Sequence, residues 1–176
     1  MELRTNRLTL KQWSEDLRDP FAQMNMDSEV MADLGGPYDR ANSDRKFDRY
    51  CKAYNMDGLS RWALIDLEGQ FVGYAGVIKN DDLSHSLGEH WDIGWQLRRE
   101  MWGRGYATEA SIAALEDAFD RCGIARVLSY TDPKNMRSQA VMTRVGLTRN
   151  ESLDFTHDYG SGMIWSGLVW CATASP

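Results

Sequence analysis

The run Arg98-Arg99-Glu100-Met101-Trp102-Gly103-Arg104-Gly105-Tyr106-Ala107-Thr108 joins residues of strand character to residues of helix character, with two glycines at the junction. A helix start presents unpaired backbone N–H groups and the positive end of the helix dipole, and together these hold an anion. Glycine at 103 and 105 lets phosphate oxygens reach main chain that a side chain would screen. Arg98, Arg99 and Arg104 add charge complementary to a pyrophosphate. The same three residues, Gly103-Arg104-Gly105, also describe a tight strand-to-helix turn with no ligand, so the wider context has to decide.

Other site chemistries fit poorly. A dinucleotide fingerprint continues G-x-G-x-x-G, but Thr108 stands where the third glycine is needed, and a P-loop requires a G-x-x-x-x-G-K-[ST] run that is missing. His85, Glu89 and His90 miss the H-x-x-E-H spacing by one residue, which on a strand or loop turns one ligand away from a shared metal. Gly160-Ser161-Gly162 lacks the G-x-S-x-G pattern of a nucleophile elbow. Neither a metal nor a covalent intermediate is expected.

The chain that must position this loop has 176 residues, 43% of them hydrophobic and 26% charged, and reads as a single domain over 1–176 that folds without disulfides or a structural metal. Its three cysteines, Cys51, Cys122 and Cys171, are odd in number and widely spaced, so they read as reduced thiols. A net charge of -6 argues against nucleic acid as a partner. The opening Met-Glu-Leu-Arg-Thr-Asn-Arg places charges where a secretory leader needs apolar residues, and no later run spans a bilayer. The expectation is a cytoplasmic protein with no membrane partner.

Periodicity supplies the elements. Leu8 and Leu10 alternate with polar residues in a first strand over Arg7 to Gln12. Ser14 or Asp19 can cap a helix through Pro20, Phe21 and Met24, and Ser28 a shorter one with Val30 and Met31, before Gly35-Gly36-Pro37 breaks the chain. Phe47, Tyr50, Cys51 and Tyr54 share one helix face. A hairpin over Arg61 to Asp66 and Phe71 to Lys79 precedes a strand Trp91 to Leu97, in which Gly94 allows a bulge or a close ligand. After the glycine loop, Ile112, Leu115, Phe119 and Cys122 recur at helical spacing and Gly123 ends the helix. A strand at Arg126 to Thr131, a helix from Asn135 to Val145 and a strand from Met163 to Cys171 complete an α/β or α+β arrangement around one mixed sheet.

Leu97 to Ala110 as a whole resembles the acetyl-coenzyme A loop of the GNAT superfamily of N-acetyltransferases. Asn135-Met136-Arg137-Ser138-Gln139-Ala140-Val141, continuing to Arg144-Val145-Gly146-Leu147, resembles that family's N-x-x-S-x-x-v-x-x-k-x-G-F motif. Thr5-Asn6-Arg7-Leu8-Thr9-Leu10 and Asp27-Ser28-Glu29-Val30-Met31 are similar to the branch holding the ribosomal-protein N-terminal acetyltransferases. Glu100 departs from the pattern, since the family has Gln or Arg there and an acid repels a pyrophosphate unless it turns away or pairs with an arginine. Leu147 in place of Phe is a milder change.

The resemblance implies a mixed, mostly antiparallel sheet of about six to seven strands with a splayed central pair, and acetyl transfer from acetyl-CoA to a primary amine in a ternary complex, the amine belonging to a peptide or a small molecule and the enzyme being a monomer or homodimer. A non-catalytic acyl-CoA sensor is the alternative. By family position, the main chain of Trp95, Gln96 and Leu97 holds the pantetheine. Arg99, Gly103, Arg104, Gly105, Tyr106, Ala107 and Thr108 hold the pyrophosphate, and Asn135 contacts the pantetheine or a water. Ser138 stands near the sulfur as a general acid, and Asp92, or else Glu89, serves as the base. The loop at Gly35, Gly36, Pro37 and Tyr38 covers the acceptor side, and His157 is a further candidate for that cleft.

Overall fold

The computed structural model describes residues 1–158 and 164–174. Leu8 and Leu10 are buried, as their alternation predicts, on β2 (Leu8–Lys11), which pairs with a short first strand β1 (Glu2–Arg4) that periodicity did not reveal. Helices α1 (Arg18–Met26) and α2 (Arg40–Asp57) follow. The start of α2 is set by Asp39, whose side chain accepts from the Asn42 N–H at 2.7 Å, so the helix begins ahead of Asn42 and Ser43. In place of a helix at Val30 and Met31 there is a turn, in which Asp27 Oδ1 accepts from the N–H groups of Glu29 and Val30.

Strands β3 (Arg61–Asp66), β4 (Phe71–Asn80) and β5 (His90–Leu97) extend the sheet antiparallel from β2. The chain then crosses through α3 (Tyr106–Glu116) to β6 (Arg126–Thr131), through α4 (Met136–Arg144) to β7 (Thr148–Arg149), and ends in β8 (Phe155–Asp158) and β9 (Ile164–Thr173). The sheet runs β1-β2-β3-β4-β5-β6-β9-β7, with β8 paired to β9 off that path. These nine strands refine the expected six to seven, the additions being short ones at the two ends of the chain. Among the described residues only β5 and β6 run parallel. The expected start of the last strand, Met163, and the Gly160-Ser161-Gly162 run lie outside the described residues.

Each face of the sheet carries its own apolar layer. Phe21, Phe47 and Tyr50 from α1 and α2 pack with Trp13 on Ala63, Tyr74 and Ile78, and Leu115, Ala118 and Met142 pack on Val77, Ile93 and Val127 from the opposite side. The α3 region departs from the expected stripe. Ile112 is exposed, and the buried positions are Ala110, Ser111, Ala114 and Leu115. A π turn over Asp117–Arg121 inserts one extra residue per turn, rotating every later side chain by roughly 100° relative to an uninterrupted helix. Small residues on the buried face let the start of α3 sit close to the end of β5. No helix among the described residues is long and apolar enough to cross a membrane.

Candidate active site

Strands β5 and β6 touch through a single ladder pair, Asp92 with Leu128. Just beyond it Ser129 Oγ donates to the Ile93 carbonyl at 2.9 Å, and from Gly94 to Leu97 the two strands diverge. The fork opens a cavity of about 840 Å³ lined by the β5 segment Asp92 to Leu97, by Gly103 and Gly105 to Thr108, by the β6 segment Ser129 to Asp132, and by Asn135 to Ser138 with Ala140 to Met142 and Arg144 from α4. Val30, Asp33, Leu34, Tyr50, Arg61 and Tyr74 close it on the α1 and α2 side. Backbone groups on the open edge of β5 therefore face a space long enough for an extended ligand arm.

Gly103 and Gly105 both take positive φ, +73° and +82°, and Gly105 is the N-cap of α3. An L side chain is strained there, which gives glycine its place in this turn. Among the described residues, the N–H groups from Gly103 to Thr108 donate to no protein acceptor, while the Gly105 carbonyl already accepts from Glu109 at 3.0 Å. A row of free donors at a helix N-terminus fits a diphosphate.

What holds this turn in shape comes from the far end of the chain. Arg7 Nη1 donates to the Arg104 carbonyl at 2.9 Å, Arg7 Nε donates to Glu109 Oε2 at 2.7 Å, and Thr5 Oγ1 and the Arg7 N–H both donate to Glu109 Oε1, at 2.6 and 2.9 Å. Burial alone would raise the Glu109 carboxyl, but these donors outweigh it and hold it below its usual 4.5. A depressed carboxylate contributes stability that is present above the usual value and is lost as pH falls through the folded one. We therefore expect the wild-type melting temperature to fall more steeply below about pH 4.5 than that of Glu109→Gln, as thermal scans of both across pH 3 to 7 would read.

The arginines sort differently from the sequence expectation. Arg99 pairs with Glu29 at 2.7 Å and Arg104 is exposed, and neither lines the cavity. Arg137 and Arg144 do, one face of α4 carrying both, and Arg137 lies 4.1 Å above the Trp102 ring. Glu100 is drawn aside by Arg98 at 2.5 Å and is not among the cavity residues. The Asn135 side chain caps α4, its Oδ1 accepting from the Ser138 N–H at 3.0 Å, and this sets Ser138 in the first turn at the cavity wall.

On the opposite wall the guanidinium of Arg61 lies flat against Gly94 and binds the Asp92 carboxylate, the Asp92 carbonyl at 2.8 Å and the Gly76 carbonyl. Both side chains are nearly buried, at 9% and 14% exposure, so this is an interior ion pair with one oxygen of Asp92 still uncommitted. Glu89, the other carboxylate candidate, lies outside the cavity, is exposed and pairs with Lys79 at 3.2 Å. Gln96 turns its side chain toward α2, accepting from Lys46 Nζ at 3.2 Å, so what it offers the cavity is main chain. Tyr74 and Tyr130 complete this wall; burial, ahead of the other influences, pushes each phenol up to about 12, so both stay protonated at neutral pH. Gly35 to Tyr38 and His157 do not line the cavity, whereas Asp33 and Leu34 of the same loop do. Among the described residues no group of three or more His, Cys, Asp or Glu could hold a metal.

Gly94 was read as room for a bulge or a ligand, but its neighbour is Arg61. An added Cβ would sit 3.0 Å from Nη2 and 3.3 Å from Cζ of a guanidinium pinned by three acceptors. Gly94→Ala is expected to lower stability by about 1–3 kcal/mol through this overpacking, read as a lower melting temperature, with a loss of turnover as Asp92 shifts.

Comparison with known proteins gives this geometry a setting. A relative from Aspergillus fumigatus, FsC-acetyl coenzyme A-N(2)-transacetylase, is 31% identical over 163 residues, which is 89% of this chain and 68% of that one. The crystal structure of an acetyltransferase from Agrobacterium tumefaciens superposes with a TM-score of 0.81 at 24% identity, over 98% of this chain and 94% of the other. A ribosomal L7/L12 alpha-N-protein acetyltransferase in complex with coenzyme A superposes with a TM-score of 0.77 at 14% identity, over 99% and 98%. Residues 7–148 match the family described as acetyltransferase (GNAT) domain. That span takes in every residue lining the cavity except Trp165, and the chain belongs to the GNAT family of acetyltransferases, whose acetyl donor is acetyl-CoA.

Proposed function

We propose that the protein moves an acetyl group from acetyl-CoA to a primary amine by direct attack within a ternary complex, with no acetyl-enzyme. The observation that carries this reading is the convergence, in one cavity, of the unpaired amides at the start of α3, the open edge of β5, and a carboxylate on the facing wall. In this reading the amides of Gly103 and Gly105 to Thr108 hold the pyrophosphate, with Arg137 and Arg144 adding charge. The main chain of Trp95 to Leu97 aligns the pantetheine along the fork. The free oxygen of Asp92 accepts a hydrogen bond from the incoming ammonium or from a water beside it, so that the amine is steered to the thioester carbonyl. Ser138, held at the first turn of α4 by Asn135, is the donor to the departing sulfur.

Both an N-terminal α-amine and an amine on a small molecule suit this arrangement; the name of the ribosomal L7/L12 alpha-N-protein acetyltransferase gives the former for that protein. The test is to incubate the protein with acetyl-CoA and a panel of peptides and small amines and to follow thiol release. Acceptor-dependent release with transfer of the acetyl group to the amine is expected. Release that no acceptor in a broad panel stimulates would overturn the assignment.

A further inference from the structure

Loss of a proton from the acceptor ammonium is a step that Asp92 alone does not complete, because one of its oxygens is bound to Arg61 and its charge is balanced inside the fold. Two residues earlier on β5 stands His90, on the same face of the strand and about 7 Å away along it. His90 is 7% exposed. Its Nδ1 lies 2.7 Å from the Gly88 carbonyl. A carbonyl only accepts, so Nδ1 must carry the hydrogen, and in the neutral ring the lone pair is on Nε2. That Nε2 is buried and has no hydrogen-bond partner. A fixed tautomer that aims a bare, basic nitrogen into the interior is the arrangement an imidazole needs to take up a proton.

Tyr130 stands between the His90 ring and the cavity. Tyr130, which lines the cavity, meets the His90 ring edge-on at 5.7 Å between centroids. The His85 ring lies 5.0 Å from that of His90, and its Nδ1 accepts from the Leu87 N–H at 3.1 Å, which leaves any hydrogen of the neutral His85 ring on Nε2. Burial first, then the neighbouring His90, holds His85 below its usual value, so it does not compete as a fixed positive charge. The other charged or titratable groups around the pair are Asp92 with Arg61, the outer Lys79–Glu89 pair, and Asp82 and His157 beyond His85.

We propose that His90 is the terminal proton acceptor of the transfer reaction, taking the ammonium proton through water held between Asp92, Tyr130 and its own Nε2. This rests on the acetyltransferase reading above. The N–H bond of the ammonium breaks and its proton moves to His90 Nε2. The freed lone pair forms the N–C bond, the C–S bond breaks as the sulfur takes a proton from the Ser138 hydroxyl, and the second hydrogen that the attacking nitrogen sheds on becoming an amide restores that hydroxyl. His90 then returns its proton to solvent, so that one ammonium and one thioester give one amide, one thiol and one proton.

His90→Asn keeps a group able to donate to Gly88 but removes the Nε2 position, whereas His90→Gln fills that position with an amide that cannot be protonated. Both variants are expected to bind acetyl-CoA within twofold of wild type, to lose about 100-fold in kcat/KM at neutral pH, and to change the acid limb of the kcat/KM profile. In the wild-type enzyme, nitrogen-15 NMR of the histidine ring should find Nδ1 protonated and Nε2 bare in the neutral form. Profiles that superimpose on wild type, or a neutral ring protonated at Nε2, would overturn the role of His90 even if the variants proved unstable. An inactive wild type that binds acetyl-CoA would instead strike the functional reading itself.

Discussion

Replacing Gly105 with valine is expected to weaken coenzyme A binding roughly 100-fold, about 2.7 kcal/mol, while leaving the protein folded. Gly105 adopts φ +82° as the N-cap of α3, and a β-branched residue in that region costs on the order of 1–3 kcal/mol. The chain relieves the strain by moving the turn, and the turn carries the free N–H groups of Gly103 to Thr108. Room near the protein is not the issue, because the closest atom to an added Cβ is Arg7 Nη2 at 3.4 Å. What is lost is the common direction of the amides and with it the anion site. Arg104→Ala is the paired control: Arg104 is exposed and supplies only its carbonyl to Arg7, so its affinity should stay within about threefold. Calorimetric titration with coenzyme A reads both. Equal affinities for the two variants would mean that the α3 amides are not where the diphosphate sits.

The second large effect is on stability. Arg61→Met leaves Asp92 buried without its cation, and removing one partner of an interior ion pair costs about 3–5 kcal/mol. For a chain of this size that is a fall in melting temperature of roughly 6–20 °C. Removing both charges, as Arg61→Met with Asp92→Leu, should recover most of the loss, since well-packed apolar replacements of an ion pair are often neutral. Turnover should not recover with it, because the carboxylate proposed to meet the amine is gone. Thermal unfolding followed by circular dichroism, beside a thiol-release assay, separates the two consequences. A double variant that is both stable and fully active would remove Asp92 from the reaction.

Arg61 had no role in the reading of the sequence, and the reason is geometric. Its partners Gly76 and Asp92 lie on two other strands, 15 and 31 positions away, and no local pattern marks a guanidinium that reaches across strands over a glycine. Gly94 was visible as an oddity inside a strand, but whether it made room for a ligand, a bulge or a side chain depended on the register that sets Gly76 opposite Gly94. The Arg7–Glu109 clasp is more remote still, with 102 positions between its ends. The arginines show the limit from the other direction. Arg99 and Arg104 adjoin the glycines in sequence yet face away from the cavity, while Arg137 and Arg144 reach it from α4.

Local features were legible where local physics decides them. Backbone dihedrals, helix caps and side-chain periodicity act over a few residues, so Gly103 and Gly105 declared a tight strand-to-helix turn, Asn135 a helix start, and Trp91 to Leu97 a strand. That Asp92 lines the cavity and Glu89 does not belonged to the tertiary structure, because it follows from where β5 meets β6 and where Arg61 can reach. The sequence by itself determined that a glycine turn joins a strand to a helix and which family that turn resembles. Only the folded sheet, through its register and the fork between β5 and β6, decided which charges face the cavity, since those contacts close across distances that no local rule encodes.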